Sequence, residues 1–180
     1  LDAAGTQDVT AHSIDLFGRP NDRLPGGTVS TLDAARHFIE LADELGGEHA
    51  AHEADYCIPA DLLQQELQQR LDAFFGAGVV RVETDPDLIA KAAAGARRIR
   101  LRSATCFSEY DKNQLLEHEA FVHSLTALNG RAQPSLGSFG TNSPRITATQ
   151  EGLATYAELM SGSMDITRMK RISLRILAID

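Results

Sequence analysis

The stretch that most constrains this chain is HEAFVH, with His118, Glu119 and His123, followed after a Gly/Pro/Ser-rich connection by TQEGLATYAEL with Glu151. Two imidazoles and a carboxylate are the ligand set that a catalytic zinc takes in one class of hydrolases, where the fourth coordination position stays open for water. Glu119, directly after the first histidine, stands where such enzymes keep the general base. The spacing is awkward. Zinc-peptidase helices usually place their histidines four apart, about 40° around an ideal helix, so that both face one metal. Here they are five apart, which splays them by about 140° on an ideal α-helix. An extra residue taken up as a π-bulge brings them back to one side. The motif therefore demands a helix, read as Ser108–Leu128, that is wide or irregular near Ala120–Val122.

That helix opens with a capping box, Ser108 with Asp111, and stops at Asn129-Gly130. Leu115, Leu116, Phe121, Val122, Leu125 and Leu128 point almost all round, so it is buried on most sides. Buried histidines need partners. Metal ligation supplies them directly, and hydrogen bonds to core carbonyls are the other way. Residues 130–145 form a loop long enough to shape a site. Thr147 and Gln150 form another capping box, which puts Glu151 in the first turn of a helix running to about Met160.

The rest reads as scaffold. Residues 1–30 are a polar lead-in in which only SIDLF (13–17) alternates enough for a strand. Ser30 and Asp33 cap a helix to about Leu45, closed by Gly46-Gly47. GEHAAHEAD (47–55) reads as an exposed connector, although His49, His52 and Glu53 form a second His/Glu cluster. Pro59 opens a helix to about Phe75 with Leu63, Leu67, Leu71 and Phe74 as a core stripe. VVRVE (79–83) alternates as a strand, DPDLIAKAAA (85–94) reads as a short helix, and RRIRLRSA (97–104) alternates again. There Ile99 and Leu101 point one way and Arg98, Arg100 and Arg102 the other. This last strand suits a sheet edge, where zinc peptidases hold an extended substrate by adding it to the sheet. Ile166–Ile179 is a final helix with Met169, Ile172, Ile176 and Ile179 inward.

At 180 residues the chain suits a single metallopeptidase-like domain, and it opens with Leu1, so it reads as a piece of something longer. It carries 17 Lys+Arg against 25 Asp+Glu, which argues against a nucleic-acid binder. Cys57 and Cys106 read as reduced, mostly buried thiols in a cytoplasmic protein. No apolar run reaches membrane-spanning length. Oligomeric state is not legible.

The runs IRLR-ATCFSEYDKNQLLEHEAFVH, LNGRAQP and TQEGLATYAEL resemble the bacterial flavohemoglobin expression-modulating QEGLA motif family, related to the tubulin-tyrosine carboxypeptidases. SIDLFGRP and RMKRISLRILAID look like the same family, so the resemblance covers nearly the whole chain. It implies that His118, His123 and Glu151 are zinc ligands and that Glu119 is the catalytic base. It also implies an α+β, zincin-like fold, mostly helical, with a small sheet beside the active-site helix. The implied activity is a zinc-dependent, carboxypeptidase-like peptidase acting on a peptide or protein C-terminus. A carboxypeptidase also needs a cation for the terminal carboxylate, preferably a bidentate Arg. Arg131, Arg145, Arg168 and Arg171 are candidates, and Tyr156 or Tyr110 could donate to the oxyanion. The competing reading is a regulatory or structural protein holding zinc without turnover, against which Glu119 counts, since zinc does not need it. A carboxylate-bridged di-iron protein needs Glu-x-x-His motifs, and the sequence has none.

Overall fold

The computed structural model of this chain describes residues 5–53 and 57–180, with side chains except at 46–53 and 144. The chain divides into two compact units, one of Leu1–Ala51 with Asp165–Asp180 and one of His52–Met164. The class is α+β and mainly helical.

The first unit holds α1 (Val9–Phe17), α2 (Thr31–Glu53) and α7 (Ile166–Ile179). The Ser30–Asp33 capping box forms as expected: Asp33 N–H donates to Ser30 Oγ at 3.1 Å, and Ser30 N–H donates to Asp33 Oδ2 at 3.0 Å. An ion pair between Lys170 and Asp43 joins α7 to α2. Ile179, read as inward, is 75% exposed, and two further expectations fail in this unit. SIDLF lies in α1 rather than a strand, because a five-residue alternation also fits a short helix and Gly18, at φ 76°, closes one by donating to the Ile14 carbonyl. Gly46-Gly47 does not end α2, which continues to Glu53. Glycine inside a helix costs only about 1 kcal/mol. The expected connector is therefore helical as far as Glu53, while Ala54, Asp55 and the side chains of His49, His52 and Glu53 lie outside the described residues.

The second unit is organised on a three-stranded sheet of β2 (Arg81–Asp85), β4 (Arg98–Arg102) and β3 (Ala92–Gly95), in that order. β2 pairs parallel and β3 antiparallel to β4. One face carries Val82, Ile99 and Leu101 into a core with Leu63, Leu67 and Leu71 of α3 (Ala60–Phe75) and with Leu115, Leu116 and Ala120. The other face is charged, with Arg100 on Asp85 at 3.1 Å and Arg98 on Glu83 at 3.8 Å. β2 is an outer strand, and α3 covers its free backbone. Gln68 accepts from Val82 N–H at 2.8 Å and donates to the Val80 carbonyl at 3.0 Å, while Gln64 donates to the Val82 carbonyl at 2.9 Å.

DPDLIAKAAA is a turn followed by β3, not a helix. Alanine favours helix weakly, and pairing with β4 overrides it. β4 is consequently central rather than an edge, and the outer strand beside the site is β3. Phe74 is 57% exposed, not core; it rests on Phe75 and Phe121 with centroids 4.8 and 4.7 Å away.

A second, two-stranded pairing joins β1 (Ile58–Pro59) to β5 (Cys106–Phe107). Across it Cys57 and Cys106 form a disulfide, their Cα atoms 4.9 Å apart. The reading of two reduced, buried thiols is overturned. Distance along the chain hid the pairing, since only strand register brings the two together. The thiol argument for a cytoplasmic setting goes with it. No described helix is long and apolar enough to cross a membrane.

Candidate metal centre

From Ser108 the chain enters one long helical rod. It is α4 (Glu109–Gln114), a π-helical stretch (Leu115–Ser124) and α5 (Leu125–Arg131) in succession. Ser108 and Asp111 make the expected capping box, and Lys91 Nζ donates to Asp111 Oδ2 at 2.6 Å. Burial raises the Asp111 pKa, but the Lys91 and Ser108 hydrogen bonds outweigh it and hold the carboxyl below its usual range.

The π-helical stretch brackets the whole HEAFVH motif. Bonding from i to i+5 returns the fifth residue to nearly the same side, so the splay of an α-helix disappears. The rings of His118 and His123 meet edge to face with centroids 4.8 Å apart. The rod does not stop at Asn129-Gly130 but runs to Arg131. Gly130 serves packing instead of termination: a Cβ there would sit 2.0 Å from the Phe139 carbonyl oxygen. Gly140 likewise faces Arg131, with a Cβ meeting its Cγ at 2.4 Å. These close approaches seat the Gly137–Gly140 turn against α5.

The last component is α6 (Pro144–Ser161). It begins at Ser143-Pro144 rather than at Thr147, because proline is preorganised for a first helical position. Glu151 is thus mid-helix and not in the first turn. Its carboxylate reaches both histidines, Oε2 lying 3.5 Å from His118 Nε2 and Oε1 3.5 Å from His123 Nε2. Ligand atoms of the three residues all fall within 4.8 Å of one another. Donors about 2.0–2.1 Å from a tetrahedral zinc lie roughly 3.3–3.4 Å apart. The two 3.5 Å separations, one to each Glu151 oxygen, are within a few tenths of an ångström of that, and nitrogen with oxygen donors suits the same ion, so the donor set is compatible with zinc.

Glu119 Oε1 lies 3.9 Å from His118 Nε2. His118, Glu119, His123 and Glu151 share the wall of a cavity of about 450 Å³. His118 is deepest, with 9% of its side chain exposed, whereas Glu151 keeps 58%. Burial disfavours the His118 imidazolium, but the Glu158 hydrogen bond and the charges of Glu119, Glu158 and Glu151 outweigh it and raise the pKa above its ordinary value.

Among the cations named from sequence, Arg131 lines this cavity, together with the Gly95 end of β3. Arg145 is exposed in the first turn of α6 and does not line it. Arg168 and Arg171 belong to α7 in the other unit. Tyr156 and Tyr110 are exposed and away from the lining. Sequence reasoning missed Glu158, whose carboxylate lies 2.5 Å from His118 Nδ1. Its spacing of seven from Glu151, which repeats a helix face, was the available signal.

Residues 1–180 match the family model described as "MATCAP: Microtubule-associated tyrosine carboxypeptidase". No curated protein matches the chain, and no solved structure does.

Proposed function

The chain belongs to the microtubule-associated tyrosine carboxypeptidase family, and from that premise we propose that it is a zinc-dependent peptidase of zincin-like fold. Its substrate is the C-terminus of a peptide or protein. The observation that carries this reading is the convergence of His118, His123 and Glu151 on one cavity wall that also holds Glu119. A coordinated zinc would polarise the scissile carbonyl and lower the pKa of a bound water to about 7.

The protein's own groups supply the remainder. His118, His123 and Glu151 hold the ion. Glu119 accepts a proton from the attacking water and returns it to the departing amine nitrogen as the C–N bond breaks. Arg131 receives the terminal carboxylate, for which a guanidinium offers two parallel donors. The substrate backbone lies along the outer side of β3, where Ala94 and Gly95 present no bulky side chain to an incoming strand.

Replacing Glu119 by Gln keeps the shape and removes the base. Glu119→Gln should retain zinc and lose about 10²–10⁴-fold in turnover, whereas His123→Ala should lose both. Metal analysis beside a peptide-library digest reads both quantities. A Glu119→Gln protein as active as the unaltered one would overturn the assignment.

A further inference from the structure

His118 touches two carboxylates of one helix. Glu151 and Glu158 are two turns apart on α6 and point the same way, and Ala154 between them is fully buried, so α6 lies close against the π-helical stretch. Glu151 faces the Nε2 side of the ring at 3.5 Å, and Glu158 faces the Nδ1 side at 2.5 Å. Their surroundings differ completely. Glu158 has no exposed side-chain surface.

A buried carboxylate is costly unless hydrogen-bonded, and its backbone here is pinned at the end of α6. Ser163 N–H donates to the Glu158 carbonyl at 2.8 Å, and Gly162, at φ 73°, donates to the Leu159 carbonyl at 3.3 Å. This is a Schellman cap with Glu158 in its anchoring position. The left-handed residue it requires is a glycine, and a Cβ added there would meet nothing within 4 Å, so Gly162 is there for its conformation.

We propose that Glu158 is the positioning residue of the metal centre. It accepts the Nδ1 proton of His118, which fixes ring orientation and tautomer and leaves the Nε2 lone pair aimed between His123 and Glu151. Histidines that bind metals commonly give their second N–H to a carboxylate, and losing that partner typically costs 10–100-fold in metal affinity. α6 thus supplies both a ligand and the group that orients another ligand. The inference rests on the zinc reading above, so its test has one arm with metal and one without.

In the first arm, zinc affinity of metal-stripped protein is measured by competition with a chromophoric chelator. Glu158→Gln conserves volume and should bind zinc roughly 10-fold more weakly, and Glu158→Ala up to about 100-fold more weakly, with the thermal midpoint of the metal-free Gln protein near that of the unaltered chain. Equal zinc affinity in Glu158→Gln would overturn the proposal while leaving the metal centre standing. Absence of zinc binding by the unaltered chain would instead sink the metal reading. The second arm then decides, as it also does if the variants fail to fold. Long-range proton–nitrogen NMR of the unaltered, metal-free protein, at a pH where the ring is neutral, should find the His118 proton on Nδ1. A proton on Nε2 would refute the role given to Glu158.

Discussion

The π-helical stretch has two sides that behave as different materials. Toward α3 and the sheet it presents Leu115, Leu116 and Ala120, each at most 3% exposed, to Leu63, Leu67 and Leu71. Toward α6 it presents His118, Glu119 and His123 to a carboxylate pair and an open cavity. The sheet repeats the contrast. Its β2 edge is sealed by Gln64 and Gln68, and its β3 edge borders the cavity through small residues. The buried apolar contacts lie on one side and the candidate metal ligands on the other. That division suits a metal site, because ligands held by a rigid wall need not be ordered when the ion arrives.

Three changes on the sealed side test the division. The largest should come from Leu67→Ala, which removes a fully buried side chain at the centre of the core. A loss of about 2–5 kcal/mol in chemical denaturation is expected, with zinc stoichiometry unchanged in the protein that remains folded. A variant of ordinary stability would show that the apolar wall is not what holds the rod.

Next is reduction of Cys57–Cys106, which bridges 49 residues of sequence and so restricts the unfolded chain. Reductant should cost about 2–4 kcal/mol, read as a lowered thermal midpoint. The Cys57→Ser/Cys106→Ser protein should match the reduced chain and no longer respond to reductant.

The smallest is Asp111→Asn at the start of the rod. The carboxyl is held below its usual range, so its contribution is present above the ordinary aspartate value of about 3.9 and is lost as pH falls through the lowered one. At neutral pH the variant should be about 1 kcal/mol less stable. Below about pH 4 the two proteins should converge. Parallel stability curves across that range would mean that Asp111 does not act through its charge.

Local rules were readable where they involve neighbours in sequence. The Ser30–Asp33 and Ser108–Asp111 caps, the bounds of α7 and the irregular geometry of the HEAFVH helix all follow from spacing alone. Readings went astray where a distant partner decided. The Ala-rich stretch before Gly95 has helical composition, but β4 pairs it into a strand. Gly130 looks like a helix terminator, and its actual reason for being glycine is the Phe139 backbone 2.0 Å from where a Cβ would stand. Cys57 and Cys106 carry no paired spacing and meet only through strand register.

The sequence by itself named the proposed donors and the kind of helix that must present them, because five-residue spacing is incompatible with one metal on an ideal α-helix. Tertiary structure alone added Glu158 beside His118 and left Arg131 as the named arginine on the cavity wall. Glu151 and Glu158 differ little as letters. The roles proposed for them separate only because α6 lays one against open cavity and buries the other behind an imidazole, and burial is a property of the packed chain, not of the residue.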